Sequence, residues 1–307
     1  MTSVMKSFFQ LRALRDLEPW FTDLSQLIQQ AENIRILVPS TIEGMLATIQ
    51  LESSFLDSKQ IFSRRFTPSK NHLPKDQQTM NVNQFQGLTL LLDVESEHIP
   101  VSDIEMNEQS IRIQPIEVNL EFKQSDRQHT GSLDVVFISS ILASLLAPNG
   151  KISRAMRQYS GLGLWCRGVM DQTIDPMYTM IRNHLQEEGT IRVVPLPEVP
   201  KPVIDMIPEI SPRMLLRLTG RWSAMDFDQR CQSLSELALV GVSNQNISTA
   251  RYEELIWNRV LSGDEELDFA SCIHLLKAAW PNEEKSAALF ASKTTDEMLT
   301  TQKLPIV

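Results

Sequence analysis

The sequence predicts an α/β protein: a parallel-sheet domain flanked by helices, followed by a mainly helical C-terminal region. Three observations carry that prediction. Short β-rich runs alternate with helix-spaced stretches over residues 1–192. The most apolar run, Leu88-Thr89-Leu90-Leu91-Leu92, is uniform in character, as a strand buried on both faces requires. Beyond prolines 195, 197, 200, 202, 208 and 212, residues 213–280 are almost wholly helix-patterned.

The elements follow in order. Phe8, Leu11, Leu14 and Leu17, then Leu24, Leu27 and Ile28, place a helix over residues 5–31. Ile34-Arg35-Ile36-Leu37-Val38, stopped by Pro39-Ser40, reads as a strand. Met45, Ile49 and Leu51 return to helical spacing between Thr41 and Leu56, and Gln60-Ile61-Phe62 is a second strand. Residues 67–84 are polar and aperiodic, a long surface loop. Ser110–Ile113 and Ile116–Val118 read as one strand interrupted by Pro115. Helices are expected from Leu133 to Leu146, from about Ile152 to Met170, and from Pro176 to Glu187, the last closed by Gly189. The resulting division is a domain over 1–192, a proline-rich connector over 193–212, a helical region over 213–283 and a less patterned tail over 284–307.

Composition narrows the function. Hydrophobic residues make up 42% and charged residues 22%, which excludes disorder throughout. No apolar run approaches the ~18 residues of a membrane helix. Arg12, Arg15, Asp16 and Glu18 break the pattern of a signal peptide. The expectation is a soluble, intracellular protein of the cytoplasm or nucleoid. Cys166, Cys231 and Cys272 are far apart and odd in number, so neither a disulfide framework nor a zinc knuckle is offered. A formal charge of −9 disfavours strong non-specific nucleic-acid binding. Protein partners suit that surface better.

The segment Asn33–Met45, NIRILVPSTIEGM, resembles the first motif of the RecJ/DHH phosphoesterases, in which a strand reading R-I-x-x-H-x-D-x-D-G leads into a helix. Arg35-Ile36 and Gly44 keep that frame. Pro39 stands at the histidine, Thr41 at the first aspartate and Glu43 at the second. Leu90-Leu91-Leu92-Asp93 is similar to the second motif and retains its aspartate. Ile111-Arg112-Ile113 fits the strand before the Asp-His-His triplet, which leaves Gln114, Pro115 and Ile116 in the triplet's place. Asp171 matches the aspartate of the last motif. Glu254–Trp280 is similar to a helical segment of archaeal RecJ homologues, with Asp268 and Leu275-Leu276 in register. The resemblance covers residues 20–280 and implies a five-stranded parallel sheet with Thr41, Asp93 and Gln114 at neighbouring strand ends.

In that family, hydrolysis depends on two manganese ions about 3.5–4 Å apart, held by carboxylates and imidazoles. Asp93, Asp171 and the longer Glu43 are the carboxylates left here. Thr41 and Gln114 are neutral, and Pro115 and Ile116 are not ligands. The expectation is no hydrolysis and no cofactor. Simple structural roles stand beside the surviving acids: Asp93 capping a turn, Glu43 favoured by a helix dipole, Asp171 capping a helix. His98 lies in a donor-rich run, but its neighbours suit a solvated loop. The five tryptophans are read as core or interface anchors. Arg64, Arg65, Lys70 and Lys75 form an acid-free basic stretch that a weak single-strand contact would use. Lys151, Arg154 and Arg157 share a helical face with the same option.

A RecJ-like chain without its metal ligands is similar to the replication factor that joins the MCM helicase and GINS, and to its archaeal counterparts. That resemblance implies a non-catalytic scaffold with GINS and MCM as partners. The rival from the same family is a divergent manganese-dependent nuclease or phosphodiesterase using Glu43, Asp93 and Asp171. A third reading is an unrelated α/β adaptor or transcriptional regulator.

Overall fold

Strand β1 (Asn33–Pro39) forms where Ile34, Ile36, Leu37 and Val38 can all be buried, with a parallel neighbour on each side. In this computed structural model the described residues are 6–70, 85–104, 107, 109–121, 128–167, 176–242, 246–263 and 266–305. Strands β2 (Ile61–Thr67), β3 (Leu88–Leu92) and β4 (Ser110–Ile113) complete a four-stranded sheet of order β2-β1-β3-β4. All three pairings are parallel. The architecture is therefore α/β, with four described parallel strands in this sheet where five were expected.

Helix α1 (Glu18–Gln30) is shorter than predicted. Residues Phe8–Gln10 and Arg12–Leu17 form 3-10 turns instead. The cause is legible afterwards, since Phe8, Leu11, Leu14 and Leu17 recur at strict threes, the 3-10 period. Helix α2 (Ile42–Ser58) is buried on nearly every side. Among its interior polar side chains, Thr48, Ser53 and Ser54 donate to backbone carbonyls within their own helix, and Gln50 donates to the distant Met156 carbonyl.

Pro115 ends the expected single strand. The chain leaves the parallel sheet after Ile113, and β5 (Ile116–Glu121) pairs antiparallel with β6 (Gln128–Leu133). Strand β6, QHTGSL, gives little apolar signal and was not expected. Helix α3 (Val135–Leu146) follows, capped by Asp134. The long helix predicted from Ile152 is divided into α4 (Lys151–Met156), a 3-10 turn at Arg157–Tyr159 and α5 (Leu162–Arg167). Arg157 is buried there, donating to the Lys6 carbonyl with its guanidinium 3.5 Å from the centre of the Phe8 ring. It is a core residue and not part of a basic surface. Helix α6 (Met177–Glu188) ends before Gly189, whose φ of +82° suits glycine.

Strand β7 (Arg192–Val194) pairs antiparallel with β8 (Arg259–Leu261), so the connector and the helical region both contain strand. Between them lie α7 (Pro212–Trp222), α8 (Phe227–Ala238) and α9 (Thr249–Ile256); α10 (Phe269–Ala279) follows β8. The Arg259 guanidinium, fully buried, donates to Asp268 (2.7 Å) and Ser271 (2.8 Å). The stretch read as an unpatterned tail forms helix α11 (Glu284–Thr301), which packs on α2 and buries Ala287, Ala291, Thr294, Thr295 and Met298. Small residues carry that face, so hydropathy gave little sign of it.

The described residues within Met1–Arg167, Asp175–His184 and Trp280–Pro305 form one compact unit, and those within Leu185–Ala279 a second. Among the described residues, no helix is long and apolar enough to cross a membrane.

Candidate functional site: the strand-tip crevice

In open parallel sheets the carboxyl ends of the strands are where ligands bind. Register places Leu37 beside Leu91 and Leu92 beside Ile113, so β1, β3 and β4 end side by side. Asp93 directly follows β3 and Gln114 directly follows β4, while Thr41 lies two residues past β1. Three predicted site positions therefore gather at neighbouring strand tips.

Each has a local task. The Thr41 hydroxyl accepts from the Gly44 amide (3.0 Å) and caps α2. Gly44 is needed for close approach, since a Cβ there would lie 2.2 Å from the Pro39 carbonyl oxygen. Glu43 occupies the first turn of α2. Gln114, Pro115 and Ile116 are buried, and the Pro115 carbonyl accepts from the Ile99 amide. Asp171 lies outside the described residues.

Asp93 is the most constrained residue of the group. Its Oδ1 accepts from the Lys70 ammonium at 2.8 Å. Its Oδ2 accepts from the Ser96 hydroxyl at 2.6 Å and from Arg112 Nη2 and Nε at 2.5 and 3.2 Å. Burial alone would raise this carboxyl. The hydrogen bonds from Lys70, Ser96 and Arg112, with the Lys70 charge, outweigh burial and hold it below its ordinary range. Arg167, at the end of α5, closes the turn beyond it by donating to the carbonyls of Val94 and Ser96.

Asp134 is a second buried carboxylate at the same end of this unit. Its Oδ1 accepts from the Phe137 amide (2.7 Å) as the cap of α3. Among the described residues its Oδ2 has no hydrogen-bond partner, and a Cβ on Gly163 would lie 2.0 Å from it. Burial pushes this carboxyl up to about 7; the Phe137 amide, the Arg167 charge and, least, the Val136 amide lower it, and the Glu43 charge raises it. The sequence offered a signal for Asp134, an N-cap residue directly before an apolar helical run. For Arg112 the only hint was a charged side chain flanked by two isoleucines.

The basic stretch is acid-free in sequence but not in space. Arg64 lies on β2, where it pairs with Glu52 (2.6 Å) and Asp296 (2.5 Å) and donates to the Ser292 carbonyl. Lys70 is engaged by Asp93. Arg65 is exposed on β2, and Lys75 lies outside the described residues. His98 is half-exposed, 3.7 Å from Glu117. Trp165 and Trp222 are buried, and Trp280 donates to the Ser40 carbonyl.

A pair of hard divalent cations does not fit the described residues of this crevice. Among the described residues, no three His, Cys, Asp or Glu side chains converge at ligand spacing. Both Asp93 oxygens already face cations, and an added metal ion would meet their repulsion.

The fold and crevice define an α/β protein with a strand-tip site whose carboxylate, Asp93, is paired internally. No protein-family model matches the chain, and no curated protein matches it. Among solved structures the chain is similar to CDC45 from Entamoeba histolytica, with 10% identity and a TM-score of 0.47, over 95% of this chain and 68% of that one.

Proposed function

We propose that the chain is a non-catalytic DNA replication factor, a RecJ-like scaffold that binds GINS and supports the MCM helicase. The motif frame of the sequence and the adjacency of Thr41, Asp93 and Gln114 support the RecJ-like part of this reading. The observation that carries the loss of catalysis is the engagement of Asp93 by Lys70, Arg112 and Ser96. A crevice neutralised by its own side chains holds together without a ligand and leaves the outer faces to partners. Among the described residues of the basic stretch, Arg65 is the one left for a weak single-strand contact, because Arg64 and Lys70 already neutralise carboxylates.

Two assays test the reading. Mixed with GINS and MCM from its own source organism, the full chain should elute with them in a stoichiometric complex at low salt. Recovery of neither would count heavily against the scaffold. Incubation with Mn²⁺ and labelled single-stranded DNA should give no turnover, whereas turnover lost in Asp93→Ala would establish the nuclease instead.

A further inference from the structure

Helix α7 carries a feature that the strand-tip crevice does not explain. Its sequence, PRMLLRLTGRW, contains three arginines and no acid, within a chain whose formal charge is −9. Leu215, Leu218 and Trp222 are buried and fix the inward face. Arg213, Arg217 and Arg221 recur every four residues on the exposed side, about 6 Å apart along the axis. Like charges at that spacing destabilise a helix, and among the described residues no carboxylate pairs with them. Leu216, one turn from both Arg213 and Gly220, is 74% exposed, and Met214 is 47% exposed. A Cβ on Gly220 would meet nothing within 4 Å, so the face is open.

We propose that this outer face of α7 docks an acidic amphipathic helix of a partner protein. The helix would carry Asp or Glu at four-residue spacing, with apolar side chains between them. The charge row calls for anions repeating at the rise of one helical turn. Leu216 and Met214 call for apolar cover, which a phosphate backbone does not supply. A single nucleic-acid strand would instead favour aromatic platforms, and the only tryptophan of α7, Trp222, faces inward. The inference rests on α7 alone, so its failure leaves the GINS and MCM test unaffected.

Fluorescence anisotropy with the full chain at low salt tests it. The probe is a labelled synthetic peptide of about sixteen residues with Glu at every fourth position and leucines beside it. Binding should weaken about tenfold or more in Arg213→Glu/Arg217→Glu/Arg221→Glu, and by a similar factor in Leu216→Asp. It should survive largely intact in the corresponding triple Lys variant. Should the triple reversal fail to fold, Arg217→Glu and Leu216→Asp singly give the same reading. Four results would overturn the proposal. These are no peptide binding up to about millimolar concentration, binding indifferent to Leu216→Asp and Arg217→Glu, an oligothymidylate binding through these arginines in preference to the peptide, or self-association of the chain lost in Leu216→Asp.

Discussion

Asp93 and Asp134 are both 2% exposed, yet their surroundings drive them in opposite directions. Asp93 receives an ammonium, a guanidinium and a hydroxyl, and its proton leaves more readily than from a free aspartate. Asp134 receives backbone amides and, among the described residues, no charged or hydroxyl donor, and burial raises it to about 7. Partners, more than depth, decide which buried acid stays charged. The contrast bears on function because a hard cation needs carboxylates that are both ionised and vacant. Asp93 is ionised but engaged, and Asp134 holds its proton up to near-neutral pH.

The largest effect that could break this comparison is a pH dependence. An acid raised in the folded state binds its proton more tightly there than in the unfolded chain. Its stabilising contribution is full below the unfolded value near pH 4 and declines until about pH 7, by at most on the order of 4 kcal/mol. Asp134→Asn keeps an acceptor for the Phe137 amide and should abolish the decline, making the variant the more stable form above pH 7. Urea denaturation across that range measures it, and parallel profiles would refute the assignment.

Next in size is Gly163→Ala, expected to cost about 1–3 kcal/mol because the new methyl meets the Asp134 carboxylate. That cost should shrink in an Asp134→Ala background, and simple additivity would show that the contact is not the cause. Asp93→Asn sharpens the other half of the comparison. It leaves Lys70 and Arg112 facing each other without their shared anion and should cost about 2 kcal/mol at pH 7. The sign is opposite to that of Asp134: stabilisation by Asp93 is present above its unfolded value near pH 4 and is lost as pH falls below it. The cost of Asp93→Asn should therefore fade in acid, and a cost independent of pH would contradict the charge pairing. Smallest is Thr41→Ala, about 1 kcal/mol in thermal denaturation, the loss of an ordinary helix cap. A neutral result would mean that Thr41 serves some other purpose.

The parallel sheet was legible because β1 and β3 are apolar runs and because α2 and α3 show helical spacing or a clear stop. The motif frame also puts Thr41, Asp93 and Gln114 at adjacent strand tips, where the sheet order places them. What could not be read were partnerships distant in sequence. Lys70 reads as a loop cation until β2 brings it to Asp93. Arg64 reads as basic surface until α2 and α11 supply Glu52 and Asp296. Strand β6 and helix α11 escaped because a glycine-containing polar strand and a helix packed through alanine and threonine carry weak hydropathy. The 3-10 turns before α1 were a misread period, threes taken for a mixture of threes and fours.

Asp93, engaged on both oxygens, has no coordination site to give. Calorimetric titration of Mn²⁺ into the full chain at neutral pH addresses that directly. We expect no saturable binding below about millimolar concentration. A micromolar site that disappears in Asp93→Asn would contradict the account.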